Sequence, residues 1–385
     1  MLLFLYTIII VAFLDTFIQL PIISTYAHSL GASSFFTGII IAIYSFSNMI
    51  GNAISGHWID RYGRKRILLI GMIFVAIILL FYPFIQTPWG LFSVRFIHGL
   101  AGGALIPAAF AYLGDLAPSH RRGKTMAFSG ACIGTAAIIG PAMGGIISSH
   151  FTISAVFYSV SILFLLTSLL SLILLKESLT TENKKQVKIK DMVPLLKNPI
   201  MIQAALSAFA LMMSMGVLTY SLPLKVEALS LSSAVTGLLL SSFGLVAIII
   251  FLSPINRLFD KYQATTFILI GMGFISFSLI SLSLLQSIQF MTFIMFFYGI
   301  GFSFIFPSMN RMILEISTME TRGKAFGIFY GAFSLGVVFG SSFAGAMSQA
   351  FGYPLLLSGI AMFVIAILFY FLVFKKERKY QIKMN

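Results

Sequence analysis

The sequence predicts an all-α integral membrane protein whose twelve transmembrane helices form two pseudo-symmetric six-helix bundles. Three observations carry this expectation. Hydrophobic residues fill 59% of the 385 positions and charged residues only 9%, whereas soluble domains carry about 25% charged residues. The apolar residues gather in runs near the roughly 20 needed to cross a hydrocarbon core. The basic residues fall in alternate gaps between those runs. The net charge of +14 is therefore a topology signal, since nucleic-acid binding would need the cations on one folded face.

Taken in order, the runs are 2–24, 35–56, 67–86, 92–113, 126–148 and 153–175, then 200–222, 235–255, 265–285, 290–314, 326–347 and 354–374. The first run has no basic leader and is longer than a signal-peptide core, so it reads as a spanning helix. With the N-terminus inside, the cytoplasmic gaps hold Arg61, Arg64, Lys65 and Arg66, then Arg121, Arg122 and Lys124. Lys176, Lys184, Lys185, Lys188, Lys190 and Lys197 follow, then Arg257, Lys261, Arg311, Arg322 and Lys324, and the tail adds Lys375, Lys376, Arg378, Lys379 and Lys383. These are 23 of the 25 basic residues, the bias expected of cytoplasmic loops. Only Lys225, outside, and Arg95, within a helix, depart from it. One span more or fewer would scramble the parity. A multi-pass protein of the cell membrane with both termini in the cytoplasm is expected.

Residues 176–199 form the only long polar stretch. The expected domains are an N-terminal bundle at 1–175, a cytoplasmic linker at 176–199, a C-terminal bundle at 200–374 and a tail at 375–385. A single cysteine, Cys132, excludes an intrachain disulfide.

The halves repeat at an offset of 200. Asp60-Arg61-Tyr62 matches Asp260-Lys261-Tyr262, Gly99 and Pro107 match Gly299 and Pro307, and Arg122-Gly123-Lys124 matches Arg322-Gly323-Lys324. Charged loops in register are not a chance agreement of abundant residues. An even number of spans per half gives both copies the same orientation, related by an axis along the membrane normal. Such a pair of bundles places a binding site between them at mid-depth.

Between the second and third runs stands GHWIDRYGRKR, Gly56 to Arg66. It resembles the G-x-x-x-D-R-x-G-R-[KR]-[KR] loop of the major facilitator superfamily, and the resemblance extends over the whole chain. In this loop Gly56 is expected to admit a close helix approach, and Gly63, Lys65 and Arg66 are counted with it in a conformational-switch loop. Asp60 suits a helix N-terminus. The resemblance implies that its partner is the start of helix eleven and that Arg61 and Arg64 engage Asp115. RFIHGLAGG, Arg95 to Gly103, is similar to the superfamily's helix-four motif. GTAAIIGPAMGG, Gly134 to Gly145, is similar to its antiporter motif, which is associated with twelve-helix drug:proton antiporters. Physically, Gly134, Gly140, Gly144 and Gly145 offer small contact surfaces and Pro141 a bend; generic helix packing is the competing reading.

Asp15 lies in an otherwise apolar run, where a central charge costs roughly 2.5–3.5 kcal/mol on insertion scales. At 1.5 Å per residue it sits about 18 Å into its helix, within about one turn in height of Arg95 on the fourth helix. The resemblance implies that both helices line one side of the cavity. His98 shares the helix face of Arg95 at i+3. Asp15 is accordingly a candidate proton-exchanging group restrained by Arg95, and His98 a candidate proton or substrate group. A static Asp15–Arg95 pair, direct cation binding, and a His98 that merely bonds a neighbouring helix are the competing readings.

The positions 200 further on are Met215, Met295 and Tyr298, so proton chemistry is expected in the N-terminal half alone. Candidate cavity residues are Gln19, Asn48 and Asn52 in that half, and Met212, Met215, Tyr220, Tyr298 and Phe302 in the other. Met and aromatic side chains adapt to varied lipophilic ligands. The expected function is proton-coupled efflux of small lipophilic or amphipathic compounds by alternating access, carried out by a monomer. Its expected partners are a small-molecule substrate, protons and the lipid bilayer. A symporter or antiporter of a specific metabolite with the same fold is the alternative, and a non-transporting receptor a remote one. No metal cluster, nucleophile triad, phosphate-binding loop or nucleotide domain is legible, so neither an enzyme nor a metal or other cofactor is expected.

Overall fold

The chain is described by a computed structural model that covers residues 2–116, 122–178, 193–317 and 322–384. Within those ranges the side chains at 60, 122–124, 126, 127, 193, 256, 260, 322, 323 and 374–384 are not described. Asp60, Arg121, Arg122, Lys124, Arg322, the linker residues 179–192 and the tail cations therefore lie, in whole or in side chain, outside the described residues.

All regular structure among the described residues is helical. The first half contains α1 (Leu2–Ile18), α2 (Ile23–Ser29), α3 (Ser34–Tyr62), α4 (Arg64–Phe81), α5 (Pro88–Gly102), α6 (Leu105–Leu116), α7 (Arg122–His150) and α8 (Ile153–Leu174). The second contains α9 (Val193–Leu196), α10 (Pro199–Ala228), α11 (Ser233–Leu252), α12 (Leu258–Lys261), α13 (Ala264–Leu284), α14 (Ile288–Ile316), α15 (Arg322–Phe351) and α16 (Pro354–Met384). Eleven segments are long and apolar enough to cross a bilayer. The bent pair α1 and α2 supplies the twelfth when read as one span, with 44° between its parts.

Local chemistry sets several helix starts. Ser33, Thr87 and Thr152 each stand just before a helix, and their hydroxyls accept the backbone N–H of Phe36, Gly90 and Ala155. Each satisfies an end-of-helix donor that the apolar interior cannot. The bend after α1 falls at Pro21, which has no N–H to continue the helix.

Packing divides the chain into two units, Met1–Lys185 with Leu222–Ser241, and Gln186–Ser221 with Ser242–Asn385. The end of α10 and the first half of α11 thus pack with the first unit, a grouping that no break in the sequence marks. Within the first unit α3 lies along α5, α1 along α7 and α4 along α8. Within the second, α13 packs on both α14 and α16. The α4–α8 pair therefore recurs as α13–α16, and so does its hydroxyl clasp. Ser161 on α8 donates to the Ala76 carbonyl at 2.8 Å, whereas Ser276, the counterpart of Ala76, donates to Gly359 on α16 at 2.8 Å.

Candidate functional site

Two close helix crossings build the site. On α5, a Cβ at Gly99 would overlap Ser47 Oγ and the Tyr44 carbonyl of α3. Only glycine admits that approach, and it carries Arg95 and His98 inward against α3. On α7, a Cβ at Gly144 would overlap the Ile18 carbonyl of α1, so α7 presses on α1 beside Asp15. Gly140 meets the neighbouring Phe17 in the same way. These crossings give the helix-four and antiporter motifs a concrete task here: they close polar side chains into a space sealed from lipid.

Asp15 is 1% exposed, Arg95 5% and His98 0%. One carboxylate oxygen of Asp15, Oδ2, lies 3.0 Å from His98 Nε2. The other, Oδ1, accepts the Gln19 amide at 2.9 Å. Gln19 also donates to the Asp15 backbone carbonyl at 3.0 Å, next to the break after α1. Arg95 reaches the carboxylate only through Gln19, whose Oε1 accepts from an Arg95 Nη at 3.0 Å. The guanidinium also makes a 2.8 Å hydrogen bond from Nε to the Ile40 carbonyl, lies 4.9 Å from the centre of the Tyr44 ring and interacts with the Tyr82 hydroxyl. The sequence sets Asp15 against Arg95, but the structure inserts Gln19 between them and gives the direct contact to His98. Four buried charged or polar side chains, from α1, the turn after it and α5, thus hydrogen-bond one another and the nearby backbone, as buried charges require.

Gln19, a candidate for contact with substrate, has its amide fully engaged in this cluster. Asn48 and Asn52 stand on α3 at its crossing with α5, half-buried. Pro141 lies inside α7, which remains helical through it, and Gly134 is half-buried one turn and more before it. Beyond the α1 contact, Gly145 lies against Ser233 and Gly237 of α11. Ser148 and Ser233 there share a 2.7 Å hydrogen bond, and Ser241 donates to the Ile138 carbonyl.

At the α3–α4 junction, Gly63 has φ +104°, a conformation that strains any residue with a Cβ. Arg64 pairs with Asp115 at 3.0 Å, and Ser178 donates to the same carboxylate oxygen at 2.8 Å. Arg61 lies exposed, its guanidinium 5.4 Å from the Tyr62 ring centre, and Arg66 is exposed. Gly56 departs from expectation. A Cβ there would meet nothing within 4 Å, so no close helix approach depends on it in this structure. Glu177 is the residue the sequence reading passed over. Its carboxylate accepts the backbone N–H of Arg64 at 2.8 Å and of Lys65 at 3.4 Å, capping α4. Lys65 in turn donates to the Leu172 and Leu175 carbonyls at the end of α8, at 3.0 and 2.6 Å. Each helix end is thereby satisfied by a charge of the sign its dipole favours. The available signal was weak, a single Glu just past an apolar run.

In the second half Met212, Met215, Tyr220 and Tyr298 are buried and Phe302 is half-buried. Tyr298 bonds Ser214 at 2.7 Å and lies 3.9 Å from Met215 Sδ. Phe302 stacks on Phe306 at 5.5 Å.

The model of the Major Facilitator Superfamily matches residues 5–224 and 204–383, nearly the entire chain in two overlapping parts. The chain belongs to the Major Facilitator Superfamily. It is 25% identical to an uncharacterized MFS-type transporter of Methanocaldococcus jannaschii, over 90% of this chain and 91% of that one. It is 24% identical to Multidrug resistance protein 2 of Bacillus subtilis, over 92% and 91%. Among solved structures it is similar to a bacterial homolog of the human lysosomal transporter Spinster in an inward-facing, occupied conformation, with TM-score 0.80, 14% identity and coverage of 98% and 96%. In this member of the superfamily, the buried Asp15 cluster and the capped α3–α4 junction both hold charge by specific partners.

Proposed function

We propose that the chain is a proton-coupled exporter of small lipophilic or amphipathic compounds, with Asp15 as the group that takes up and releases the proton. The observation that carries this reading is the Asp15–His98 contact of 3.0 Å between side chains 1% and 0% exposed. An ionisable pair kept in a membrane-spanning helix at such a cost marks a functional site by default. The relation to Multidrug resistance protein 2 and the glycine motif of α7 support the outward direction and the lipophilic substrate. Met212, Met215, Tyr220, Tyr298 and Phe302 in the second unit suit an apolar substrate surface, and Asn48 and Asn52 in the first a polar one. The chain works as a monomer in the cell membrane with both termini in the cytoplasm, a topology supported by its alternating basic loops. One proton crossing 100 mV supplies about 2.3 kcal/mol, enough to drive uphill export.

The test uses inverted vesicles holding a preformed acid-inside gradient. Lipophilic cations are expected to dissipate the gradient, and Asp15→Asn to abolish that response while substrate binding persists. Dissipation by a sugar or another polar metabolite instead would move the chain to the alternative class. No response to any solute, with one stably bound orientation, would favour a receptor.

A further inference from the structure

The direction of every hydrogen bond in the buried cluster is set from one end. Arg95 can only donate, so the Gln19 oxygen must face it, 3.0 Å away. The Gln19 amide nitrogen must then face Asp15. Both of its hydrogens are used, one on Oδ1 at 2.9 Å and one on the backbone carbonyl at 3.0 Å. Oδ1 is therefore filled by a donor that cannot give up its hydrogen at any ordinary pH. What remains for an incoming proton is the line from Oδ2 through His98.

His98 has a second nitrogen. Nδ1 lies 3.0 Å from the Tyr82 hydroxyl, which the sequence reading did not single out. Tyr82 follows α4 in the turn Tyr82–Phe84 and is fully buried. Its ring stacks on Phe157 of α8 with centroids 4.1 Å apart, and its carbonyl accepts the Tyr26 hydroxyl at 2.6 Å. The hydroxyl is thus held in place from two sides. Unlike Arg95 or the Gln19 amide, a phenol can both donate and accept.

We propose that Tyr82 is the positioning residue of the proton site: the acceptor-only Asp15 carboxylate fixes the hydrogen of neutral His98 on Nε2, and the Tyr82 hydroxyl at Nδ1 meets first the free lone pair and then the added proton, so that Asp15 and His98 act as one proton-accepting unit. The inference rests on the proton-coupling role proposed for Asp15. In the unprotonated unit, Tyr82 donates to Nδ1 and Nε2–H donates to the Asp15 carboxylate. Uptake adds one proton at Nδ1, and the Tyr82 hydroxyl rotates from donor to acceptor. The unit passes from a net charge of −1 to 0, no other covalent bond changes, and release reverses the same step. The charged or titratable groups around the pair are Arg95 on α5, Tyr44 from α3, Tyr82 from the turn after α4 and Tyr26 from α2. α7 presents Gly140 and Gly144, and α8 presents Phe157. Hydrogen bonds to charged groups are worth more than neutral ones, so loss of the hydroxyl should weaken the protonated unit more than the unprotonated one.

The test reads the full-length protein in lipid nanodiscs. Long-range proton–nitrogen correlation spectra of histidine-labelled protein report which imidazole nitrogen carries the hydrogen, with His98→Gln identifying the His98 signal among the five histidines. The wild type is expected to show His98 with its hydrogen on Nε2 at alkaline pH. Tyr82→Phe keeps the stacked ring and is expected to leave the hydrogen on Nε2, where the Asp15 carboxylate holds it. It should also weaken proton uptake about tenfold, moving the pH midpoint of uphill transport down by about one unit. Wild-type His98 carrying its hydrogen on Nδ1 overturns the proposal without recourse to any variant that might fold poorly. An unchanged midpoint in Tyr82→Phe overturns it as well. Asp15→Asn that still drives uphill transport with the wild-type pH profile would instead remove the coupling role of Asp15, whatever the tautomer spectra show.

Discussion

Position 15 meets position 98 in the first half, and position 215 meets position 298 in the second. The first pair is Asp15 and His98 at 3.0 Å; the second is Met215 and Tyr298, sulfur to hydroxyl, at 3.9 Å. The rings at 98 and 298 are each met edge-on from the preceding helix pair, by Tyr44 at 5.1 Å and 72° and by Phe243 at 5.3 Å and 74°. A glycine follows each ring, and both Gly99 and Gly299 press against backbone of the facing helix. The repeat has therefore kept a contact and exchanged its chemistry. What the difference teaches is that the scaffold brings these two positions together whether or not they carry charge. Charge in the first half is an addition to the fold, with Gln19 and Arg95 as the supports that addition needs.

The largest effect should come from removing that addition. Asp15→Asn is expected to lower uphill transport at least tenfold, measured as gradient dissipation in inverted vesicles. Met215→Asn, which puts the same residue at the matching position, should leave coupling intact. Equal losses would sink the asymmetry between the halves. Next comes an attempt to transplant the pair. Met215→Asp with Tyr298→His lacks counterparts of Gln19 and Arg95, and an uncompensated buried charge costs about 3–5 kcal/mol. Loss of monodisperse folded protein in size-exclusion chromatography is the expected outcome, and a stable double variant would show that the supports are dispensable.

The close crossings should respond alike in the two halves. A Cβ at Gly144 overlaps the Ile18 carbonyl and one at Gly340 overlaps the Met213 carbonyl. Gly144→Ala and Gly340→Ala should each destabilise by about 1–3 kcal/mol, seen as a lowered unfolding temperature, with loss of coupling beyond that expected only for Gly144. The smallest effect is expected from Tyr298→Phe. It removes the 2.7 Å bond to Ser214, which still donates to the Leu211 carbonyl at 2.6 Å. A loss of about 1 kcal/mol with unchanged pH dependence would mark that contact as packing, whereas a changed pH profile would bring the second half into the proton chemistry.

The spans and the repeat were legible because each rests on a local quantity. A run of about 20 apolar residues must be helical in hydrocarbon, since only a helix satisfies its own backbone there, and Asp15, Arg95 and His98 stood out as charge or potential charge within such runs. The loop resemblance implied that Arg61 and Arg64 engage Asp115, and in the structure Arg64 pairs with it while Arg61 lies over Tyr62. It did not foretell open space around Gly56 or the capping role of Glu177, because both depend on which helix end lies alongside. Tyr82 looked like any aromatic residue at the close of an apolar run.

By itself the sequence determined the membrane solvent, the helical class, the doubling of the chain and the half that carries the buried charge. Only the tertiary structure decided which groups touch. Hydropathy varies over a whole helix, so composition can specify it. A hydrogen bond is set within a few tenths of an ångström by the crossing of two helices, and at Gly99 and Gly144 that crossing put Gln19 between Asp15 and Arg95 and turned His98 toward Tyr82.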